Sequence, residues 1–265
     1  MNRINKLFKE REGDILSVYF TAGYPQLDDT LKIAKSLEEA GADLIEIGMP
    51  FSDPVADGPT IQESNKKALD NGMSIKVLFD QLKELRKEVS MPVILMGYIN
   101  PILQYGVEQF CESCKAVGVD GLIIPDLPIA EYLKTHKTVF DKYDLKNVFL
   151  VTPQTSVERI LTIDQHSDSF IYMVSSAGTT GAKTAFSEEN TKYFKRINNM
   201  GLANPTLIGF GISNSETFQQ AAHYSRGAII GSAFIKLLAT SKERDSISEF
   251  VKEIRGKMQD KRQKK

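Results

Sequence analysis

The sequence has few residues with which to bind a metal ion or to form disulfides. Cysteine occurs twice, histidine three times and tryptophan not at all. Cys111 and Cys114 form a lone C-x-x-C, and a zinc site would need further ligands that the isolated histidines His136, His166 and His223 do not supply. We therefore expect two small, partly buried thiols in a reducing compartment and no metal site.

The net charge is also small, and long apolar runs are absent from the sequence. The net charge is −1, so no strong field attracts the chain to nucleic acid or to an anionic membrane. No apolar run approaches the roughly 20 residues of a membrane span, and the N-terminal MNRINKLFKEREGD lacks the apolar core of a signal peptide. These features predict a cytoplasmic protein with no nucleic-acid or membrane partner.

The chain does contain eight short apolar runs separated by stretches of helical period. Continuous apolar runs are typical of parallel strands that are covered on both faces. Eight such strands alternating with helices predict a (β/α)₈ TIM barrel, with an extra N-terminal helix and a single domain over residues 1–265. A doubly wound sheet is the alternative, but FTAGYPQLDD after the first strand has no G-x-G-x-x-G. The runs are 15–23, 43–48, 92–98, 121–126, 147–153, 170–176, 205–211 and 227–233.

Acidic residues stand within or just after several of these runs. Glu46 lies between Ile45 and Ile47, where burial would raise its pKa into the range that is useful for proton transfer. Its alternative is a structural glutamate held by a serine or a backbone donor. Asp53, Asp57 and Asp126 follow strands, and each has the alternative of an Asx turn or a helix cap.

The last two strands end in glycine, at GFGIS and IIGSA. Gly211 and Gly231 would let backbone N–H groups approach an anion, with Ser232 as a further donor. Loops after the seventh and eighth strands often bind phosphate in such barrels, although glycine also closes tight turns. The pattern predicts a small phosphorylated ligand, and four aromatic residues near this face predict a pocket for a planar group: Phe20, Tyr98, Tyr172 and Phe210.

The segment IEIGMPFSDPVADGPTIQ resembles the signature of the tryptophan synthase alpha subunit family, which is close to E-[LI]-G-x-P-F-S-D-P-x-A-D-G-P-x-I-Q. The resemblance extends to YFTAGYP, MGYINPI, SSAGTTGA, GFGIS and GSA, and so spans the chain. It implies a (β/α)₈ barrel that cleaves indole-3-glycerol phosphate to indole and glyceraldehyde 3-phosphate by a retro-aldol reaction. It also implies that this subunit needs no metal and no cofactor.

The resemblance assigns roles to individual residues by their positions in these motifs. Glu46 matches the catalytic glutamate, and Asp57 matches the aspartate that stabilises the indole N–H. Thr180 matches a threonine in a lid loop that meets this aspartate. The remaining matches are the substrate-contacting Tyr172, the pocket-lining Phe20 and Phe210, and the phosphate ligands Gly181, Gly211, Gly231 and Ser232.

The resemblance also implies a partner, the pyridoxal-phosphate-dependent beta subunit, in an α₂β₂ assembly. Asp53 would then take part in signalling between subunits. Ser176 and Thr179 depart from the arginine and valine that are common in the family, which concerns the lid and not the reaction. Two alternatives stay open, another phosphate-binding barrel such as a sugar-phosphate isomerase, and a barrel that docks to a partner without turnover.

Overall fold

Eight parallel strands close into a barrel in the described part of the chain. The computed structural model describes residues 1–55, 57–175, 186–241 and 245–256. Each strand pairs with the next along the chain, and the eighth pairs with the first. The strands are β1 (Ile15–Thr21), β2 (Leu44–Gly48), β3 (Val93–Met96), β4 (Gly121–Ile123), β5 (Lys146–Val151), β6 (Ile171–Val174), β7 (Thr206–Gly209) and β8 (Gly227–Ile230).

This architecture confirms the predicted (β/α)₈ barrel, because each of the eight apolar runs contains one strand, with β5 beginning one residue before its run. β2 apart, the strands end two or three residues before the runs do. The residues past the last ladder hydrogen bond turn away into the loops at the C-terminal end of the barrel. The expectation of a single domain over residues 1–265 stays a prediction.

Helices surround the barrel and follow the predicted alternation. They are α1 (Arg3–Glu10), α2 (Thr30–Ala40), α3 (Pro59–Asp70), α4 (Ile75–Leu82), α5 (Leu85–Glu88), α6 (Ile99–Tyr105), α7 (Val107–Val117), α8 (Ile129–Glu131), α9 (Lys137–Lys142), α10 (Val157–His166), α11 (Glu188–Asn198), α12 (Ser215–Tyr224), α13 (Ser232–Thr240) and α14 (Asp245–Arg255). A short 3₁₀ turn precedes α2, and a π-helical segment joins α8 to α9. Within the described ranges, no helix is both long and apolar enough to cross a membrane.

The extra helix α1 closes the N-terminal end of the barrel, as predicted. Its Ile4 and Phe8 are buried in the cluster of side chains inside the barrel, and the Phe8 ring lies 5.3 Å from that of Phe170. Asn2 caps the helix by accepting from the Ile4 N–H, and it donates to the Asp120 carbonyl. Among the described residues, α1 therefore fills the N-terminal end of the barrel interior and leaves the C-terminal end open.

The two cysteines lie in α7, and both are buried and unpaired. Burial raises the pKa of each thiol. The two thiols are therefore more deeply buried than the partial burial that the sequence predicted.

We predict that Ile4→Ala lowers the free energy of unfolding by about 2 to 5 kcal/mol, because the side chain is fully buried where α1 meets the barrel. Lys9→Ala, at an exposed position of the same helix, should change it by less than about 0.5 kcal/mol. Urea unfolding of both variants measures the difference. Equal losses would show that α1 does not contribute to the core.

Candidate active site

A cavity of about 340 Å³ lies at the C-terminal end of the barrel. Carboxylates, aromatic rings and glycine backbone all reach its wall. Its lining residues are Tyr19, Glu46, Asp57, Gly58, Ile61, Met96, Tyr172, Phe210, Gly211, Ile212, Ile229, Gly231 and Ser232. A larger cavity of about 430 Å³ lies among the residues that precede β7 and β8, and no acidic side chain lines it.

Glu46 is delivered to this cavity by the middle of β2 and is fully buried. The Ser17 hydroxyl donates a hydrogen bond of 2.8 Å to its Oε1, whereas its buried Oε2 has no hydrogen-bond partner in the structure. Burial raises the pKa of Glu46 to about 8, and the Ser17 hydrogen bond opposes part of that rise. The serine partner of the structural alternative is therefore present, but it satisfies only one of the two oxygens.

Asp57 enters the same cavity from the loop between β2 and α3. Burial raises the pKa of Asp57 to about 6, and a hydrogen bond from the Tyr98 hydroxyl at 3.3 Å opposes the rise. Gly58 occupies the N-cap of α3 and Pro59 follows it, so the Asp57 side chain does not cap this helix. Above pH 6 the carboxylate is mostly ionised inside a partly desolvated pocket.

Glycine backbone at the ends of β7 and β8 and the start of α13 form a further part of the cavity wall. Gly231 is the N-cap of α13, and no side chain accepts from the first N–H groups of that helix. Gly211 has a φ of 73° and the preceding Phe210 one of 68°, which is unusual for a residue with a side chain. The Ser175 hydroxyl donates to the Phe210 carbonyl at 2.8 Å and holds this turn. The arrangement suits an anion bound by backbone N–H groups.

Phe20 does not line the cavity, and its expected place in the pocket wall was wrong. Side chains alternate along β1, so Ser17 and Tyr19 face the barrel interior, while Phe20 is fully buried in the core on the opposite face. Tyr19 occupies the wall instead. The signal was available in the sequence, because a polar Ser17 inside β1 marks the interior face.

Two tyrosines lie across glycines of the neighbouring strand. A Cβ atom on Gly48 would lie 2.1 Å from the Tyr19 hydroxyl, and one on Gly209 would lie 2.1 Å from the Tyr172 hydroxyl. Each tyrosine ring therefore occupies the space in which the side chain of a larger residue at Gly48 or Gly209 would lie. Tyr172 meets Phe210 edge to face, with ring centroids 6.4 Å apart.

The other predicted residues lie around the cavity or outside the described ranges. Tyr98 borders a small neighbouring cavity together with Asp57. Asp53 is exposed on the loop after β2, where it accepts a hydrogen bond from Ser52. Asp126 accepts from the Ile99 N–H at 3.0 Å, so it caps α6 and not the helix that follows it in sequence. Thr180 and Gly181, in the predicted lid loop 177–190, lie outside the described residues, which resume at residue 186.

No group of three or more His, Cys, Asp or Glu side chains that could hold a metal ion occurs among the residues described. The fold and the cavity together define a class of protein: a (β/α)₈-barrel enzyme whose cavity is lined by a buried acid, a half-buried acid and glycine backbone.

The family follows from the comparison with known proteins. Residues 5–263 match the family model described as tryptophan synthase alpha chain. The tryptophan synthase alpha chain of Flavobacterium psychrophilum is 60% identical over 254 residues, covering 96% of this chain and 100% of that protein. That of Parabacteroides distasonis is 59% identical, covering 90% and 93%. The crystal structure of the Legionella pneumophila alpha chain matches with a TM-score of 0.86 at 32% identity, covering 96% of each chain.

The chain therefore belongs to the tryptophan synthase alpha chain family. This family cleaves indole-3-glycerol phosphate to indole and glyceraldehyde 3-phosphate in tryptophan biosynthesis, so the chain is a carbon–carbon lyase. Its partner is the beta subunit, and the alpha chain does not itself need pyridoxal phosphate.

We predict that Glu46→Gln is more stable than the wild type at high pH and differs little from it below about pH 5. The folded wild type keeps a proton on Glu46 up to about pH 8, whereas the unfolded chain releases it near the ordinary value of 4.5. Wild-type stability therefore falls as pH rises through this window. Since one pKa unit corresponds to about 1.4 kcal/mol, the difference should reach roughly 3 to 5 kcal/mol at pH 9.

Urea unfolding at pH 5 and at pH 9 measures this difference, and the variant serves as the reference for the other titrating groups. A constant difference between the two proteins at both pH values would show that Glu46 does not hold its proton in the folded state.

Proposed function

We propose that Glu46 and Asp57 divide the chemistry of indole-3-glycerol phosphate cleavage between them. The reaction breaks the bond between indole C3 and the adjoining glycerol carbon. It needs a proton at C3, loss of the proton from the hydroxyl on that carbon, and stabilisation of the indole N–H as the ring becomes cationic. The products are indole and an aldehyde, so no electron acceptor is required.

The unpartnered Oε2 of Glu46 is the observation that carries this proposal. A buried carboxyl oxygen without a hydrogen bond is costly, and a substrate hydroxyl placed beside it would supply the missing partner. A pKa of about 8 allows the same group to accept and to donate a proton near neutral pH. Glu46 therefore suits both proton transfers.

Asp57 suits the indole nitrogen. With a pKa of about 6 it is ionised at neutral pH, and its negative charge in a partly desolvated pocket attracts an N–H that gains positive charge. Tyr98 donates to its Oδ2 and so restricts the direction of the carboxylate. In the family's lid, Thr180 would approach Asp57 from the loop after β6.

The glycine-lined end would bind the phosphate through the N–H groups at Gly211, Gly231 and Ser232, with Gly181 contributing from the lid. The indole ring would then lie between Tyr172, Phe210 and Tyr19, in place of the wall expected from Phe20. A cavity lined by glycine backbone and by aromatic rings suits a ligand with an anion and a planar group.

We further propose that the chain acts in an α₂β₂ assembly in the cytoplasm and that its own reaction proceeds without any cofactor. Val55, beside Asp53 on the loop after β2, is 87% exposed, which suits a surface that a partner covers. Asp53 would transmit the presence of that partner to Asp57, four residues further along the same loop.

Glu46→Gln and Asp57→Asn should each lower the rate of indole release from indole-3-glycerol phosphate by about 100-fold or more, with and without added beta subunit. Asp126→Asn is a matched control, because it removes a charge at a strand end outside the cavity and keeps an acceptor for the Ile99 N–H. Wild-type turnover in Glu46→Gln would falsify its catalytic role.

Glycerol phosphate should raise the melting temperature of the wild type, because a ligand that binds only the folded state stabilises it. Gly211→Val should abolish that shift by placing a side chain at the proposed phosphate site. Gly201→Val is the matched control, since Gly201 also has a positive φ, 62°, but stands in open space away from the cavity. Loss of protection in both variants, or in neither, would place the phosphate elsewhere.

A further inference from the structure

Ser17 lies inside the barrel on β1, which pairs with β2, the strand that carries Glu46. It is fully buried, pairs with Leu44 of β2 across the ladder, and donates to Glu46 Oε1 at 2.8 Å. We propose that Ser17 is a positioning residue for the cleavage reaction: its hydroxyl holds one oxygen of Glu46 so that the other is presented to the cavity. This inference rests on the proposed function of Glu46.

The geometry gives the two carboxyl oxygens different tasks. Among the described residues, the Ser17 hydroxyl makes the only hydrogen bond to this carboxyl, and Oε2 has none. A glutamate side chain has several rotatable bonds, and the barrel interior around it is mostly apolar. Without the serine, no hydrogen bond in the described structure would select the rotamer that points Oε2 at the substrate.

Ser17 is the main group that stabilises the negative charge of Glu46, because the other groups that face this side chain are neutral or have their own donor. Tyr19 on β1 and Tyr172 on β6 face it, and burial keeps the pKa of both phenols well above their usual value, so they stay neutral. Asp57 faces the same cavity but has its own donor in Tyr98. Ser17 lowers the pKa of Glu46 against the effect of burial. Loss of its hydroxyl would therefore move that pKa upward and leave the titration of Asp57 nearly unchanged.

Ser17→Ala tests the inference in the full-length chain, through the pH dependence of indole release. We expect kcat to fall about tenfold at neutral pH with KM within about twofold, because the substrate still binds but the carboxyl is misdirected. The limb of the pH profile that Glu46 governs should move to higher pH by about one unit, whichever proton transfer it reports. Ser169→Ala is the matched control, a buried serine that precedes β6 and does not line the cavity.

Ser17→Cys keeps the size of the side chain but offers a weaker donor, so its pH limb should lie between those of the wild type and Ser17→Ala. It also keeps the question testable if Ser17→Ala does not fold. An unshifted limb with wild-type kcat in either Ser17 variant, while Glu46→Gln is inactive, would overturn the role of Ser17 alone. Activity in Glu46→Gln would instead overturn the proposed function, so the two failures are distinct.

Discussion

The burial of one carboxyl group inside an apolar barrel is the constraint on which the rest of the site depends. Glu46 has no accessible surface, and its pKa rises to about 8 for that reason. A charge in this position is tolerated only with a donor such as Ser17 and with the loops of the C-terminal end providing access. Ile4 and Phe8 of α1 fill the N-terminal end of the barrel, so a ligand reaches Glu46 from the C-terminal end.

The fold was largely predictable, because parallel strands that are covered on both faces leave continuous apolar runs in the sequence. The positions of Glu46 and Asp57 were predictable for a related reason. A charged residue inside or beyond such a run is expected at the C-terminal face of the barrel, where the loops that follow the strands meet. Resemblance to a family supplied the substrate, which no local pattern could provide. The cavity and the raised pKa values then supply a physical reason for the two acids.

Other parts of the site could not be read from the sequence, each for a physical reason. In the run ILSVYFT the sign of the interior face is Ser17, one small residue that is too weak a signal to separate that face from the helix face, so Phe20 was assigned in place of Tyr19. Asp126 caps α6 across a gap of 27 residues, a contact between loops that only the closed barrel creates. The serine that bonds Glu46 likewise stands 29 positions away in the chain.

Tyr19 lies over Gly48, and Tyr172 lies over Gly209. The width of the pocket therefore depends on pairs of residues on adjacent strands. Enlarging either glycine is incompatible with the ring beside it, and shrinking either tyrosine leaves a void over a bare backbone. Evolution or design that reshapes this pocket for another ring system therefore has to exchange both members of a pair together. A single substitution of Gly48 or Gly209 would be blocked unless the tyrosine beside it changes as well.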